Sequence, residues 1–414
     1  MSENHERNNS LDRRNFLKTI GAAGMGSLLG AVAHASENKQ GAGDTGKTEQ
    51  GTFPHIPKPM LGKTGVEVSC LSHGLMYDLL EKQIVLRKGL AWGVSQWDTA
   101  NSYANGNSEL GIGKFFKRQP EARKDIFLIT KASGAETVEE IEERLQTSLR
   151  RMNTSYVDLY YGVHGLHDPR QLTKELRDWS QSAKARGLIR SFGFSTHKNM
   201  HKCLKEAAKL DWIDVIMTSY NFRLMQDKKL NRAVDACFDA GIGLIAMKSQ
   251  AREIKSGKDK RLTQHFLESG YTEGQAKLKA VMGDKRFAAT CITMQSVALL
   301  TSNVAAVLDK AKLSAVDKAV LAEFAEQTCS GYCAGCGYLC DRTVAGAPYV
   351  SDVMRYLMYC NSYGEKEKAR ELFSEIPFAA REKLAKADLS VAEKRCPHGL
   401  PIGAFVKEAM DKLS

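Results

Sequence analysis

Eight short apolar runs, each followed by a longer helix-like stretch, constrain this chain more than any other feature. The runs are Val66–Ser72, Val94–Asp98, Ile126–Lys131, Val157–Val163, Ser191–Ser195, Val215–Tyr220, Leu244–Lys248 and Thr290–Met294. Between them, Val138–Arg150 puts Ile141, Leu145 and Leu149 at every fourth position, which marks one buried helical face. Gln171–Arg186 and Lys198–Lys209 behave alike. Repeated βα units of this size predict a parallel (β/α)8 TIM barrel over residues 58–312. An open doubly wound sheet is the alternative, and the lack of a G-x-G-x-x-G after the first run weakens it. The 414 residues leave room for a smaller appendage beyond one domain of roughly 250 residues. Residues 313–414 read as a small, mostly helical C-terminal cysteine-cluster domain, with helical patterns at Ser314–Gln327, Tyr349–Ser362, Lys366–Phe373 and Pro401–Leu413.

Six of the ten cysteines sit in that appendage, and five of them form one set: Cys329, Cys333, Cys336, Cys340, and Cys396 followed by Pro397. Short spacings let thiolates converge on one small centre. Three readings compete: an iron–sulfur cluster, a tetrahedral zinc bound by four thiolates, and a pair of disulfides. The other five, Cys70, Cys203, Cys237, Cys291 and Cys360, are scattered among apolar or helical neighbours and read as core or surface thiols.

The N-terminus has the order of a targeting segment. Asp12-Arg13-Arg14-Asn15-Phe16-Leu17-Lys18 resembles the bacterial twin-arginine consensus, a Gly- and Ala-rich apolar stretch follows, and Ala33-His34-Ala35 offers a small-residue cleavage site. The apolar stretch is too short for a permanent span, which needs about 20 apolar residues. The expectation is a signal peptide at 1–35, a polar Gly-rich linker at 36–57, and a periplasmic protein exported by the twin-arginine machinery with cleavage near Ala35. The net charge of +11 is spread along the chain without aromatic interleaving, so no nucleic-acid partner is expected.

In a barrel of this kind, catalytic groups stand at the C-terminal ends of strands. Successive strand ends here carry Asp98 with Tyr103 beyond it, Lys131, His164, Ser195 with His197 beyond it, and Ser219-Tyr220-Asn221. A phenol is a poor acid at neutral pH. A nearby ammonium lowers its pKa, a carboxylate holds the ammonium, and a neutral imidazole orients a carbonyl oxygen. Such a set can protonate a carbonyl as hydride arrives.

Across roughly residues 58–308 the text resembles the aldo/keto reductase family. The stretches that carry the likeness are LGKTGVEVS, WDTANSYANGNSELGIG, FLITKA, YVDLYYGVHGLHD, IRSFGFSTH, TSYNF and GLIAMK. The resemblance implies a catalytic tetrad of Asp98, Lys131 and His164 around the proton donor Tyr103. His167 lies close by in a stretch that carries an extra residue. It also implies that Ser195 and Asn221 bind a nicotinamide amide and that Tyr220 stacks on its ring. Lys248 and Asn303 would contact the rest of NADP(H). The chain departs from the family after the eighth run, where Thr293 and Gln295 stand in place of the usual Gly and basic residue. Both close backbone approach and positive charge are thinned there. The tail resembles ferredoxin-like tails in which the last ligand precedes proline. That implies a [4Fe-4S] cluster on Cys333, Cys336, Cys340 and Cys396, with Cys329 spare or replacing Cys333.

The expected activity is exported carbonyl–alcohol oxidoreduction on a small carbonyl or sugar-like substrate, with a redox partner for the cluster. The alternative is a degenerate barrel serving as an electron-transfer or binding subunit. The basic stretch after the seventh run (AREIKSGKDKR) reads as a surface loop or a lid over the rim.

Overall fold

The computed structural model describes residues 55–250, 259–328, 332–363 and 365–414. The expected signal segment, most of the linker, the stretch 251–258 and Cys329 lie outside them. Strands β1 (Leu71–Gly74), β2 (Gln96–Asp98), β3 (Phe127–Lys131), β4 (Val157–His164), β5 (Ile189–Thr196), β6 (Val215–Ser219), β7 (Gly243–Met247) and β8 (Ala289–Thr293) pair in parallel. The barrel closes where β1 pairs β8, with Ser72 opposite Cys291. Around it run α1 (Gln83–Ala91), α2 (Asn107–Arg118), α3 (Val138–Met152), α4 (Lys174–Ala185), α5 (Met200–Ala207), α6 (Lys228–Asp239), α7 (Asp259–Glu268), α8 (Glu273–Met282) and α9 (Val297–Leu308). Helix α3 starts where its sequence says it should: Thr137 caps the Glu140 amide, and the Glu140 carboxylate returns to the Thr137 amide.

The first strand begins later than the apolar run at 66–72 predicts. An antiparallel bridge between Met60 and Glu67 ties this segment into a hairpin instead. Val66 points outward, whereas Leu61 and Val68 are buried against Phe127, Ile129, Leu159, Val215 and Ile245 of the barrel interior. The hairpin thus seals the N-terminal mouth. Gly62 has φ +52, and a Cβ there would collide with the backbone of Gly241 and Gly243. The extra residue expected near His164 is a bulge: the β4–β5 register shifts between Tyr161 and Val163.

After α9 the described chain is helical: α10 (Ala315–Thr328), α11 (Gly337–Cys340), α12 (Val350–Tyr363), α13 (Lys366–Ser374), α14 (Phe378–Lys386), α15 (Ser390–Arg395) and α16 (Ile402–Leu413). Its buried side chains, among them Val353, Leu357, Phe373, Val406 and Leu413, belong to the same apolar cluster as the barrel's helix layer. Polar ties fix it to the C-terminal loops of the barrel. Lys198, after β5, pairs with Asp341 at 2.8 Å and Asp352 at 2.7 Å. The Tyr332 hydroxyl accepts from Asn221 Nδ2 at 2.8 Å, and Phe324 stacks on Phe222. Gly335 lies so close to the His197 carbonyl that a Cβ would overlap it. The tail therefore caps the end of the barrel opposite the hairpin. None of the described helices is long and apolar enough to cross a membrane.

Gly62→Val should lower unfolding stability by about 2–3 kcal/mol, because it adds both positive-φ strain and a clash with backbone. Urea unfolding with an unchanged m-value checks this; wild-type stability would contradict the hairpin's placement.

Candidate active site

Lys131 and Asp98 end adjacent strands and turn into the barrel, where both are almost fully buried. Lys131 Nζ donates to Asp98 Oδ2 at 2.8 Å and to the Thr99 carbonyl at 2.6 Å. The same Nζ stands 4.6 Å from the Tyr103 ring centroid. Burial alone would lower the Lys131 pKa, but Asp98 and Tyr103 outweigh it and hold the ammonium above its ordinary value. Burial pushes the Tyr103 phenol up to about 12 against the downward pull of Lys131. The phenol is therefore protonated at neutral pH, and the ammonium stands ready to stabilise the phenolate once the proton leaves.

The loop that presents Tyr103 is held under strain. Ala104 and Asn105 have φ of 50° and 53°, a region that L-residues rarely occupy. Arg151 anchors the loop by donating to the Asn101 carbonyl at 2.8 Å and to Glu109 at 3.2 Å. Opposite Tyr103, the His164 ring meets the Tyr103 ring edge-on, with centroids 5.9 Å apart. Ser102 Oγ donates to Ser133 Oγ at 2.9 Å, and Ser133 Oγ contacts His164 Nδ1 at 2.6 Å. When Ser133 donates to Nδ1, the ring's remaining proton sits on Nε2. Burial, then Lys131 and Lys368, press the His164 imidazole down to about 3, which keeps it neutral. His167 is exposed and takes no part. The structure thus groups Asp98, Tyr103, Lys131 and His164.

The side chains predicted for a nicotinamide are placed differently. Ser195 is buried, and its Oγ accepts the Gly165 amide at 3.1 Å. Asn221 is fully buried and holds Tyr332 of the tail, while Lys248 Nζ donates to the Tyr359 hydroxyl at 2.7 Å. Asn303 is tied to Gln250 at 2.8 Å and to the Leu299 carbonyl at 2.9 Å. Tyr220 corrects the expectation most clearly. Its ring stacks on Phe287 at 4.4 Å, and its hydroxyl donates to Asp284 Oδ2 at 2.8 Å, with Asn231 Oδ1 at 3.0 Å beside it. With 1% of it exposed, it presents no open face for a cofactor ring.

Sequence reasoning missed two contributions. Cys291, read as a structural thiol, lies with its Sγ 3.7 Å from Asp98 Oδ2. The tail also lends Lys368, whose Nζ sits 5.6 Å from the Tyr103 ring centroid. Cys291's place within the eighth run, on the strand that closes against the first, was a usable signal, whereas nothing local announced Lys368.

In the tail, Cys333, Cys336, Cys340 and Cys396 line one small cavity, with Met354, Leu400 and Ile402 among its apolar walls. All nine described cysteines are free thiols. Among the described residues, no three His, Cys, Asp or Glu side chains form a group set to hold a metal ion.

A closed parallel barrel with a lysine–aspartate pair beneath a tyrosine at its C-terminal mouth defines an oxidoreductase architecture. The chain belongs to the aldo/keto reductase family, whose sequence profile matches residues 77–318. It is 27% identical over 222 residues to the uncharacterized oxidoreductase YrpG of Bacillus subtilis, covering 48% of this chain and 68% of that protein. It is 27% identical over 187 residues to aldo-keto reductase yakc of Schizosaccharomyces pombe, whose name specifies NADP(+), covering 42% of this chain and 54% of that one. The chain thus spans about half the length of the yeast protein. Among solved structures, the holo form of an aldo-keto reductase from Bacillus halodurans superposes with TM-score 0.55 at 24% identity, covering 65% of this chain and 96% of that one. An aldo-keto reductase from Klebsiella pneumoniae in complex with NADPH gives TM-score 0.54 at 20% identity, covering 65% and 95%. These likenesses carry the fold, and the profile match ends near the start of α10.

The buried histidines set an acid limit. Burial holds His73 down at about 4 and His164 at about 3, below the ordinary value near 6.5. In the unfolded chain these groups bind protons first, so stability is full above pH ~6.5 and falls as pH drops toward the folded values. Urea midpoints should be lower at pH 5 than at pH 7.5, and His73→Gln should narrow the gap. A midpoint independent of pH would contradict the burial of neutral imidazoles.

Proposed function

We propose that the protein interconverts a carbonyl and an alcohol at the mouth of the barrel, with Tyr103 as proton donor and acceptor. The observation that carries this reading is the buried Lys131–Asp98 pair set under the Tyr103 ring. Once a hydride is delivered to the carbonyl carbon and forms its C–H bond, the oxygen becomes basic and takes the Tyr103 proton, completing the alcohol. Lys131 stabilises the phenolate left behind. A neutral His164 with its proton on Nε2 orients the oxygen toward the phenol. Asp98 keeps Lys131 charged and in place. In the reverse direction Tyr103 takes the proton back.

Two groups are drawn in by likeness. For the tail we propose a [4Fe-4S] cluster on Cys333, Cys336, Cys340 and Cys396. Their convergence on one largely apolar cavity fits such a group, and the cluster would supply single electrons. NADP(H) follows from the family, since one relative's name specifies NADP(+) and one solved neighbour holds NADPH. Here Asn221 and Lys248 are engaged by Tyr332 and Tyr359, so a nicotinamide would need the tail to lift. That occupancy favours a second reading, in which the barrel works without a nicotinamide and serves electron transfer through the tail. Export through the twin-arginine route is proposed from the order of Arg13-Arg14, the apolar stretch after them and Ala33-His34-Ala35. The substrate, within this reading, is a small carbonyl compound.

Tyr103→Phe should reduce turnover by at least about 10³-fold, with kcat falling and the fold and visible spectrum unchanged. Retained activity would refute the assigned role. Anaerobically purified protein should carry about four irons per chain with broad absorption near 400 nm that bleaches on reduction. Zinc in place of iron, or Cys396→Ser with undiminished iron, would refute the cluster.

A further inference from the structure

The tail brings cations to the barrel mouth in excess of the anions that answer them. Arg355 on α12 is 8% exposed, and its Nε and Nη1 have no hydrogen-bond partner; only Nη2 is used, donating to Asp352 at 2.7 Å. Asp352 already serves Lys198. Lys248 has the Tyr359 hydroxyl as its partner, and Lys368 reaches only the Met76 thioether, at 2.7 Å. Among the described residues neither lysine has a carboxylate within ion-pair distance. Arg355 lies one helical turn before Tyr359 on α12, and the Tyr359 hydroxyl is the group that Lys248 reaches. Burial on its own would raise the Tyr359 phenol, yet Lys248, Arg355 and Lys368 together bring it below its ordinary value. Arg355 and Lys248 also act on His197, and Lys368 on His164. Lys368 stands over the Tyr103 ring. A desolvated guanidinium with free N–H groups and two unanswered ammonium groups is a costly arrangement unless an anion completes it.

Resting on the catalytic reading of Tyr103, we propose that the substrate is acidic: besides its carbonyl it carries a carboxylate or phosphate. That oxoanion is gripped by Arg355, Lys248 and Lys368, between the tail and the barrel mouth. The tail thereby becomes a specificity element that places the carbonyl toward Tyr103 and His164. Each charge-assisted hydrogen bond of this kind contributes about 1.5–3 kcal/mol, so losing one weakens binding roughly 10- to 100-fold.

The test uses the full-length protein with its cofactors in place and two minimal probes, malonate and inorganic phosphate, at ionic strength matched with chloride. Thermal-shift titration should show saturable stabilisation by at least one probe, and the tighter one tells carboxylate from phosphate. Arg355→Gln and Lys368→Gln should each weaken that binding at least tenfold, and Arg355→Lys should restore part of it. Circular dichroism and the visible spectrum check that each variant is folded; if Arg355→Gln does not fold, Lys368→Gln decides. Tyr103→Phe should bind the probe as wild type does, so a failure of the catalytic reading shows up separately as residual turnover in that variant. With reduced viologen or NADPH as donor, succinic semialdehyde should exceed butanal, or glyceraldehyde 3-phosphate exceed glyceraldehyde, by at least tenfold in kcat/KM. That preference should collapse in Arg355→Gln. Probe binding that never saturates, or that both substitutions leave unchanged, would overturn the proposal. Displacement of the probe by NADPH, with no preference within either substrate pair, would assign the cations to the cofactor and overturn it equally.

Discussion

A lysine ammonium inside a β-barrel is tolerated only if something answers its charge, and here Asp98 does so at 2.8 Å. Removing either partner would leave the other ion buried, at a cost of about 3–5 kcal/mol. The pair therefore fixes much more than itself. It demands that Lys131 stand just beyond the level of Asp98, which the parallel register provides by setting Asp98 opposite Ile129, two residues before Lys131. It demands a loop that returns Tyr103 over the ammonium, which the strained turn at Ala104 and Asn105 supplies. The hairpin at the far mouth then closes the barrel below, so the charged layer faces the tail alone.

The tail changes what that layer can do. In isolation, a barrel of this kind presents an open rim. Here Lys198 is held between Asp341 and Asp352, Asn221 is matched to Tyr332, and Lys248 to Tyr359. These contacts join loops after β5, β6 and β7 to tail residues more than a hundred positions further on. The tail also brings Lys368 beside Tyr103, and burial with Lys131 and Lys368 keeps the His164 imidazole neutral.

The barrel was legible because its signal is local. Each βα unit declares itself through period and length, and Asp98, Tyr103 and Lys131 fall at successive strand ends, where chemistry is expected. The first strand was begun too early because Val66 and Val68 alternate as a strand would, although Glu67 between them pairs with Met60 in the opening hairpin. Helices α7 and α8 were hidden behind a basic run that reads as loop. Tyr220 was carried over from a motif, but its fate was decided by Phe287 and Asp284, which arrive from another part of the chain. Arg355, Tyr359 and Lys368 sit on helices whose pattern speaks of packing, and only tertiary structure brings their polar ends to the site.

The account stands on one electrostatic coupling, that of the Lys131 ammonium to the Tyr103 phenol. Titration of ¹³C-labelled tyrosine by NMR, in wild type and in Lys131→Met, measures it directly. The account predicts that the Tyr103 resonance titrates at higher pH once the ammonium is gone, while the other tyrosine signals keep their positions. A Tyr103 titration indifferent to the loss of Lys131 would contradict it.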